Sequence, residues 1–354
     1  MKKLFALSII GLSVLTGCQN EDEKNVDLNA EEASQVINAS ADQLSNDVVS
    51  LVESEGVSAM TDFAELLEGS EVIGGRVSQK AWTKERLDLI IQYFVNGPSA
   101  RTNNDQPTTF DDIKGLYEWN PAIQEFDEEA SEYFIVKFPT EGSETNNAEL
   151  KISDLQFVTI TETHGGFVDE YEVPSVIVGY LKVDDVTYIE LDFNVNWSSE
   201  GMPEEADVSL FVKPFTFTIK FDDTFATSAS LLSSIYIDEE LIIGIDLDVQ
   251  FEDNTKEEPV YFEGSISYRT MKIAGNVDIR EIEEEGDPND YINLALYNND
   301  SKLGDIVFVL EEVDGGYEDY VAYVEYSDGS KENLDEILEP ILAEIEDVFE
   351  GFEE

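Results

Sequence analysis

The stretch Ile189–Trp197, IELDFNVNW, has an apolar residue at every odd position and a polar residue at every even one. Side chains of a β-strand point alternately to its two faces, so this pattern indicates a strand with one buried and one solvated face. Residues 215–221 (FTFTIKF) and 241–251 (LIIGIDLDVQF) repeat the pattern, although Ile242 is apolar and out of phase. Such strands are typical of antiparallel sheets, because parallel sheets are usually covered on both faces.

Seven further stretches between residues 110 and 330 are predicted as strands. They are residues 116–119, 133–138, 149–160, 176–183, 260–268, 306–311 and 320–326. The connections are short and rich in turn formers, as in Asp184-Asp185, Asp222-Asp223 and Asp314-Gly315-Gly316. Residues 110–330 are therefore predicted to form one large antiparallel meander, flat or curved into a half-barrel, of about ten strands.

Helical segments are predicted on both sides of these strands. Apolar residues follow helical spacing through much of residues 30–96, and residues 97–109 (GPSARTNNDQPTT) are the best candidate linker. Residues 331–354 contain a helical apolar stripe from Leu334 to Phe352, interrupted by Pro340, where a kink or break is expected. The predicted fold class is α+β, with the N-terminal helices and the C-terminal amphipathic helix covering the apolar face of the sheet.

The composition excludes several classes of function. The 354 residues include 79 acidic and 20 basic ones, for a formal net charge of −59, which disfavours binding to a nucleic-acid backbone. The chain has one Cys and one His, too few for an internal disulfide or for a zinc centre built from these two residue types. The hydrophobic share of 42% is that of a globular protein rather than an acidic disordered tail.

The N-terminus has the features of a targeting signal. Two lysines, Lys2 and Lys3, precede a mostly apolar run over residues 4–15 that is too short to span a bilayer. The run ends in Leu15-Thr16-Gly17-Cys18, which closely resembles the lipobox of bacterial lipoproteins. That resemblance implies a signal peptide of residues 1–17, cleavage before Cys18, and acylation of Cys18 with fatty acids such as palmitate. Residues 18–29 are then a flexible acidic tether.

Two more stretches resemble proteins of the Bacteroidota. Gln19-Asn20-Glu21-Asp22-Glu23 resembles the acidic export signal that follows the lipidated Cys in surface-exposed lipoproteins of that phylum. The segments GLYEWN (115–120), FIVKFP (134–139) and NNAEL (146–150) resemble a block in its uncharacterised lipoproteins. The resemblance implies an outer-membrane protein displayed at the cell surface and brings no activity with it. A periplasmic location stays open, because an acidic protein can also begin acidically by chance.

The motifs needed for catalysis are missing from the sequence. The only His, His164, lies in a predicted hairpin turn, where an exposed turn residue is the simpler interpretation than a catalytic base. No phosphate-binding glycine loop and no HExxH motif occurs. A glycosidase needs only two carboxylates, but among 79 acids a suitable pair arises by chance. The acids on the strands, Glu190, Asp192, Asp246 and Asp248, are read as a solvated surface. The protein is expected not to be an enzyme, and a glycosidase that uses a carboxylate pair stays open as the enzymatic alternative.

Loops rich in oxygen ligands make calcium the one cofactor considered. The candidates are Asp222, Asp223, Asp253, Asn298 and Asp300. None of these loops follows the EF-hand pattern, so diffuse counterion binding is the competing interpretation.

These observations predict a lipid-anchored, acidic protein of the cell envelope with a non-enzymatic binding or structural role. Its expected partner is the membrane, through the lipid, and an apolar ligand or an envelope protein is the further partner considered. The first alternative is a carrier whose aromatic strand faces line a lipid cavity, with Phe215, Phe217, Phe221 and Phe251 as candidates. The second is a glycan-handling surface protein that uses Trp82, Trp119 or Trp197. The oligomeric state is left open.

Overall fold

The computed structural model describes residues 47, 50, 54, 56–58, 110, 114–123, 125–140, 142–164, 167–281, 286–299, 301–313 and 317–339. The chain divides into two compact units, one of Met1–Val52 with Ile219–Glu354 and one of Glu53–Thr218. We call them the C-terminal unit and the central unit. Among the described residues, no helix is both long and apolar enough to cross a membrane.

Strands dominate the described chain, and two short 3-10 helices, Ile279–Glu281 and Pro288–Asp290, lie among them. The strands are β1 (Gly115–Asn120), β2 (Glu125–Glu129), β3 (Phe134–Phe138), β4 (Ala148–His164), β5 (Phe167–Val183), β6 (Val186–Trp197), β7 (Pro203–Val212), β8 (Phe215–Asp222), β9 (Ser228–Ile237), β10 (Glu240–Phe251), β11 (Pro259–Tyr268), β12 (Met271–Asp278), β13 (Ile292–Asn298), β14 (Ser301–Val313), β15 (Tyr317–Tyr326) and β16 (Lys331–Asn333). Six of them were not predicted from the sequence, namely β2, β7, β9, β12, β13 and β16.

The predicted antiparallel meander is confirmed. The sheet has 16 strands, and from β16 back to β4 each strand neighbours the next one in the sequence. The exception is at the start of the sheet, where β1 pairs in parallel with β3 and antiparallel with β2. The order β3-β1-β2 makes the sheet mixed, because β3 returns beside the free side of β1 rather than beside β2.

The alternating stretch at Ile189–Trp197 forms most of β6, as predicted. Val195 is buried, whereas Glu190, Asp192, Asn194 and Asn196 are exposed. The turn before β6 is formed by Asp184 and Asp185, which have φ values of 50° and 64°. Two consecutive residues of positive φ are typical of a type I′ hairpin turn, whose twist matches that of the strands it joins.

The other two alternating stretches form β8 and β10 with local departures. Ile219 of β8 is 43% exposed, so the alternation of apolar and polar residues does not predict its burial correctly. In β10 the pairing with β9 shifts between Leu241 and Ile243, and Ile242 is the extra residue. This bulge accounts for the out-of-phase apolar residue, because Ile242 is the inserted residue and is only 2% exposed.

The core of the central unit is formed by β1, β3, β4 and β5. Its largest fully buried side chains are the aromatic Tyr117, Phe134 and Phe138, and the rings of Tyr117 and Phe134 lie 5.5 Å apart. Val136, Ala148, Ile152 and Leu181 complete the cluster. A short helical turn at residues 56–58 packs on this unit near β7, and a Cβ on Gly56 would lie 2.8 Å from Val212 Cγ1. Glycine is therefore required for this close approach.

The core of the C-terminal unit is mainly aliphatic and is formed by strands β12 to β15. Its buried residues are Met271, Leu296, Leu303, Ile306, Val324, Tyr326 and Ile337. Ile337 belongs to a helical stretch over residues 334–339, which is the start of the predicted C-terminal helix. The Asn333 side chain caps this start, because its Oδ1 accepts from the backbone N–H groups of Asp335 and Glu336 at 2.8 and 3.3 Å. The prediction that the stripe packs on the sheet is confirmed for Leu334 and Ile337.

Several predictions concern residues outside the described part of the chain. These are the signal peptide, the tether, the linker at residues 97–109, the turn at residues 314–316, the kink at Pro340 and the helical stripe beyond it. Of the predicted helical segment at residues 30–96, only Asp47, Ser50, Ser54 and residues 56–58 are described, and all of these except Ser54 have helical backbone.

Candidate functional site

The predicted lipidation and export residues lie outside the described part of the chain. They are Cys18 and the following Gln19, Asn20, Glu21, Asp22 and Glu23. The acylation of Cys18 and the surface location therefore stay predictions that depend on the sequence motifs.

The calcium candidates of the C-terminal unit are divided between opposite ends of its strands. Asp222 ends β8, Asp223 follows it and Asp253 follows β10, so these three lie at one end. Asn298 closes β13 at the other end, where it is paired with Met271. Asp300 is not among the described residues. The strand directions thus separate Asn298 from the three aspartates.

The aspartates that lie at one end use their oxygens within the protein. Asp222 Oδ1 accepts from the backbone N–H and hydroxyl of Thr224, and Asp253 Oδ1 accepts in the same way from Thr255. These hydrogen bonds lower the pKa of both carboxyl groups. The Lys256 ammonium contacts Asp223 Oδ1 at 2.5 Å and also its carbonyl oxygen. Within the described residues, no group of three or more His, Cys, Asp or Glu side chains is placed to hold a metal ion.

The strand carboxylates and the single His are not gathered into one site. Glu190 and Asp192 lie on β6 of the central unit, and Asp246 and Asp248 lie on β10 of the C-terminal unit; all four are exposed. Partial burial, followed by repulsion from Asp248, raises the pKa of Asp246. His164 is the last residue of β4 and is paired in register with Phe167, as the predicted hairpin requires.

The aromatic candidates are at least half-buried where they are described. Phe215 is buried and its ring stacks 6.5 Å from that of Phe217, while Phe221 and Phe251 are half-buried. Trp119 packs against the central core, with its ring edge-on to Phe126 at 5.2 Å. Trp197 Nε1 donates to the Pro174 carbonyl at 2.9 Å. Trp82 lies outside the described residues.

A charged cluster that sequence reasoning missed surrounds Arg269, in the turn between β11 and β12. Its Nε and Nη2 donate to both carboxylate oxygens of Asp47 at 2.8 to 3.0 Å, and Nη1 donates to Glu240 at 2.7 Å. The Tyr268 hydroxyl also donates to Asp47, at 3.2 Å. The Arg269 and Asp47 side chains are only 12% and 13% exposed, and the hydrogen bonds to Asp47 raise the pKa of Arg269. This cluster connects Asp47 to the turn between β11 and β12 and to Glu240 at the start of β10.

A second missed feature lies on the face of β3, β4 and β5 opposite the central core. Lys137 is paired with Glu149, and Glu149 with Lys182, while Lys151 is paired with Tyr180. Directly opposed residues of an antiparallel pair share a face, so these side chains are neighbours. The Lys151 ammonium lies 3.9 Å from the ring centre of Tyr133, and that of Lys182 lies 4.3 Å from the ring centre of Tyr180. We call this set of six residues the lysine–tyrosine face.

Glu149 lies between the lysines of this face but is held by a tyrosine. The Tyr180 hydroxyl donates to Glu149 Oε1 at 2.7 Å. Burial, with the bond to Glu149 and its charge as further causes, raises the pKa of Tyr180 to about 12. The tyrosine therefore stays protonated and keeps donating at neutral pH.

No protein-family model, no curated protein and no solved structure matches this chain. The arguments that follow therefore depend on the residues and on the geometry.

Proposed function

We propose that this chain is a lipid-anchored, strongly acidic protein of the bacterial cell envelope with a non-enzymatic binding or structural role. The observation that carries the proposal is Cys18, the only cysteine of the chain, placed at the end of a lipobox-like motif behind a short apolar run. Two or more acyl chains are needed for stable anchoring, because each buried CH₂ contributes only about 0.8 kcal/mol.

The geometry supports a binding or structural role more than a catalytic one. Asp222 and Asp253 are tied to neighbouring threonines, and Asp223 to Lys256. The exposed carboxylates Glu190 and Asp192 are spaced two residues apart on one face of β6, which is the ordinary wet face of a strand. The described residues of each unit therefore offer strand surfaces, and no group of three or more His, Cys, Asp or Glu side chains placed to hold a metal ion occurs among them.

Metabolic labelling tests the anchor. Cells that produce the full chain are grown with an alkyne analogue of palmitate, and the protein is examined for the label. We expect labelling of the wild type and none of Cys18→Ala, which should also keep its signal peptide and have a higher mass. Incorporation of the label into Cys18→Ala, or an unlabelled wild type, would remove the basis of the proposal.

The proposed location is the outer membrane, with the body at the cell surface and the periplasmic face as the alternative. Protease added to intact cells should degrade the wild-type protein. Replacing Glu21, Asp22 and Glu23 by neutral residues should leave labelling unchanged and protect the protein from the protease. Protection of the wild type would assign the protein to the periplasmic face.

A second candidate function, binding of a lipid or another apolar ligand, is favoured by one observation in the C-terminal unit. Apolar residues on one face of β10, β11 and β12 are half-buried, namely Ile245, Leu247, Val249, Phe262, Ile266 and Ile273. In the middle of this face Gly264 is paired with Gly275, between Leu247 and Leu294. Gly264 is buried, and a Cβ on Gly275 would lie 1.9 Å from the Asn293 carbonyl oxygen, so the strands approach closely at this point of the face.

Native mass spectrometry of protein purified from its own envelope tests this candidate. A bound mass of a few hundred daltons that organic extraction removes would support an apolar ligand. A ligand-free mass for the wild type would leave the structural and surface-binding roles.

A further inference from the structure

We propose that the outer edge of β15, over residues 318–322, binds an extended basic segment of another protein as an additional strand of the sheet. This inference rests on the binding role proposed above and names the kind of partner. The starting observation is that β14 and β15 stay paired with each other beyond the strands on either side of them. The described pairing of β13 with β14 ends at Ile306, and β16 covers only residues 323–325 of β15. We call residues 309–312 and 318–322 the open ribbon.

The backbone of β15 directs hydrogen-bonding groups outward at every second residue of this edge. The Tyr326 N–H donates to the Ser330 carbonyl, so the backbone groups of Tyr326 face the side on which β16 lies. Because the groups of a paired strand alternate between its two sides, those of Ala322, Tyr320 and Glu318 face the same side. These three residues lie beyond the end of β16, so their edge has no neighbouring strand among the described residues. An added strand supplies the N–H and C=O groups that match them.

Side chains already make some of the hydrogen bonds that a further strand would make. On the β14 edge, Asn289 Nδ2 donates to the Phe308 carbonyl and its Oδ1 accepts from the Phe308 N–H, both at 2.8 Å. On the β15 edge, Asp319 Oδ1 accepts from the Tyr320 N–H at 2.8 Å. This single bond comes from an exposed side chain that an arriving strand can displace.

Apolar side chains continue from the core of the C-terminal unit onto the open ribbon. Phe308 and Ala322 are a cross-strand pair that packs against this core and is half-buried. The pair two residues further along, on the same face, is Leu310 with Tyr320, and these side chains are 50% and 38% exposed. An exposed apolar pair that continues a core face favours a partner strand with apolar side chains at the matching positions.

The far end of the open ribbon is acidic on both faces. Glu312 is paired with Glu318, and Glu311 with Asp319, and all four side chains are exposed. Glu311 accepts from the Tyr323 hydroxyl at 3.0 Å, but no ion pair joins any of the four to a cation within the described chain. Like charges directly opposite each other are destabilising, so a partner with lysine or arginine opposite Glu318 and Asp319 relieves both repulsions.

A second copy of this chain is a poorer occupant of this edge. Strand β15 has no Lys or Arg, so pairing of two β15 edges adds no cation and brings together two chains with a formal net charge of −59 each. Strand β2, the other outermost strand, is acidic as well, but Phe126 is its only apolar residue. The apolar continuation distinguishes the β15 edge from the β2 edge.

The register defines the probe. In antiparallel addition, apolar residues lie opposite Ala322, Val321 and Tyr320, and basic residues follow opposite Asp319 and Glu318. The probe is therefore a fluorescent synthetic peptide with the order threonine, three valines, lysine, arginine, threonine. A second peptide has proline in place of the third valine, whose N–H has to donate to the edge, and a third has glutamate in place of both basic residues.

Binding is measured by fluorescence anisotropy with the full chain in detergent. We expect the probe to bind with an affinity that falls as salt is added. The proline peptide should bind at least about tenfold more weakly, and the glutamate peptide should not bind. Glu318→Gln combined with Asp319→Asn should weaken probe binding at least about fivefold. The matched control, Glu128→Gln with Glu129→Gln, removes two exposed acids from β2 and should stay within about twofold of wild type.

Equal losses at the two outermost strands, or equal binding of the proline peptide, would overturn the proposal. So would a dimer in sedimentation that the probe dissociates, which would assign the edge to a second copy. Binding that appears only after removal of residues 340–354 would assign the edge to the chain's own C-terminus and would also overturn it. Cys18→Ala protein should bind the probe as wild type does, so failure of this inference is distinguishable from failure of the proposed anchor.

Discussion

The two units of the molecule use their few basic side chains differently. In the C-terminal unit, Arg269, Lys256, Arg280, Lys302 and Lys331 each pair with a carboxylate. In the central unit, no ion pair joins two described residues, and Lys151 and Lys182 lie over tyrosine rings. Lys272 and Arg280 of the C-terminal unit also lie over tyrosine rings. An ion pair neutralises the positive charge of the basic side chain, whereas a cation–π contact stabilises the cation and leaves its charge in place.

The hydrophobic cores of the two units also differ, in the kind of side chain that they bury. Three large aromatic side chains, Tyr117, Phe134 and Phe138, are fully buried in the central unit. The C-terminal unit has a mainly aliphatic core and depends on close backbone approach at Gly275 and on the ion pair between Arg269 and Asp47. Close approach at a glycine occurs in both units, but it is tighter at Gly275, with 1.9 Å from its Cβ position to backbone, than at Gly179 of the central unit, with 2.7 Å. We therefore expect the central unit to depend more on its buried rings, and the C-terminal unit more on the contact at Gly275 and on the pair of Arg269 with Asp47.

The largest effect is expected for Gly275→Ala, which tests the tight strand contact. Gly275 has a φ of 153°, and a Cβ there would lie 1.9 Å from the Asn293 carbonyl oxygen. Strands β12 and β13 would have to separate, so we expect a loss of about 4 kcal/mol or more in the free energy of unfolding. Chemical denaturation measures it.

Gly329→Ala is the control for that substitution. Gly329 also has a positive φ, of 81°, but a Cβ there meets nothing within 4 Å. We expect a cost of about 1 kcal/mol from backbone strain alone. Equal costs at the two glycines would show that the close contact between β12 and β13 is unimportant.

The aromatic core is tested by Phe134→Ala in the central unit. Phe134 is fully buried and contacts the ring of Tyr117, so its truncation should destabilise the protein by about 3–5 kcal/mol. Val324→Ala removes a smaller fully buried side chain from the other core and should cost about 1–3 kcal/mol. Denaturant unfolding of both variants ranks the two cores, and a larger loss at Val324 would contradict the ranking.

The charge pairing is tested by Arg269→Ala. Because Asp47 is only 13% exposed, removing its partner leaves a carboxylate with most of its surface out of water. We expect a loss of about 2–3 kcal/mol and faster proteolysis between the N-terminal segment and the sheet. Lys331→Ala breaks an exposed pair with Glu325 and should change stability by about 0.5 kcal/mol. Similar proteolysis of the two variants would argue against a special role for Arg269.

The smallest effect is a pH dependence that tests the Tyr180–Glu149 bond of the central unit. The folded-state pKa of Tyr180 is raised to about 12, above the ordinary tyrosine value. Its contribution to stability is therefore complete at neutral pH and is lost as the pH rises from about 10 to about 12. In Tyr180→Phe this alkaline loss should be smaller, and absorbance titration should show one fewer late-ionising tyrosine. An unchanged titration curve would contradict the assignment.

The local patterns predicted the alternating strands but not all of their neighbours. Strand β6 follows strict alternation over its last nine residues, and the prediction was made from them. Strand β9, SASLLSSIYI, mixes serines and apolar residues without a clear period, and β12 has Gly275 in its interior. These strands form because they pair with amphipathic neighbours such as β10, and that contribution does not appear in their own sequences.

The Arg269 cluster and the lysine–tyrosine face were missed for the same reason, since each is formed by residues from separate parts of the chain. Asp47 and Arg269 are separated by 222 positions, and nothing in the sequence near either residue indicates that they pair. Lys137, Lys151 and Lys182 are scattered along three strands and share a face only because the registers of β3, β4 and β5 align them. One usable signal was the position of each lysine relative to the buried residues of its strand. Because side chains alternate between the two faces of a strand, a lysine next to a buried residue lies on the opposite face.

The sequence by itself determined the acidic character, the lipobox-like motif at Cys18, and the antiparallel class of the sheet. These properties depend on composition, on contiguous motifs and on a period of two, all of which are local. Only the tertiary structure decided which strands are neighbours, which carboxylates pair with Arg269 and Lys256, and which lysines lie over rings. The physical reason is that register and strand order bring together residues far apart in the chain, and long-range contacts of this kind leave no periodic signal in the sequence.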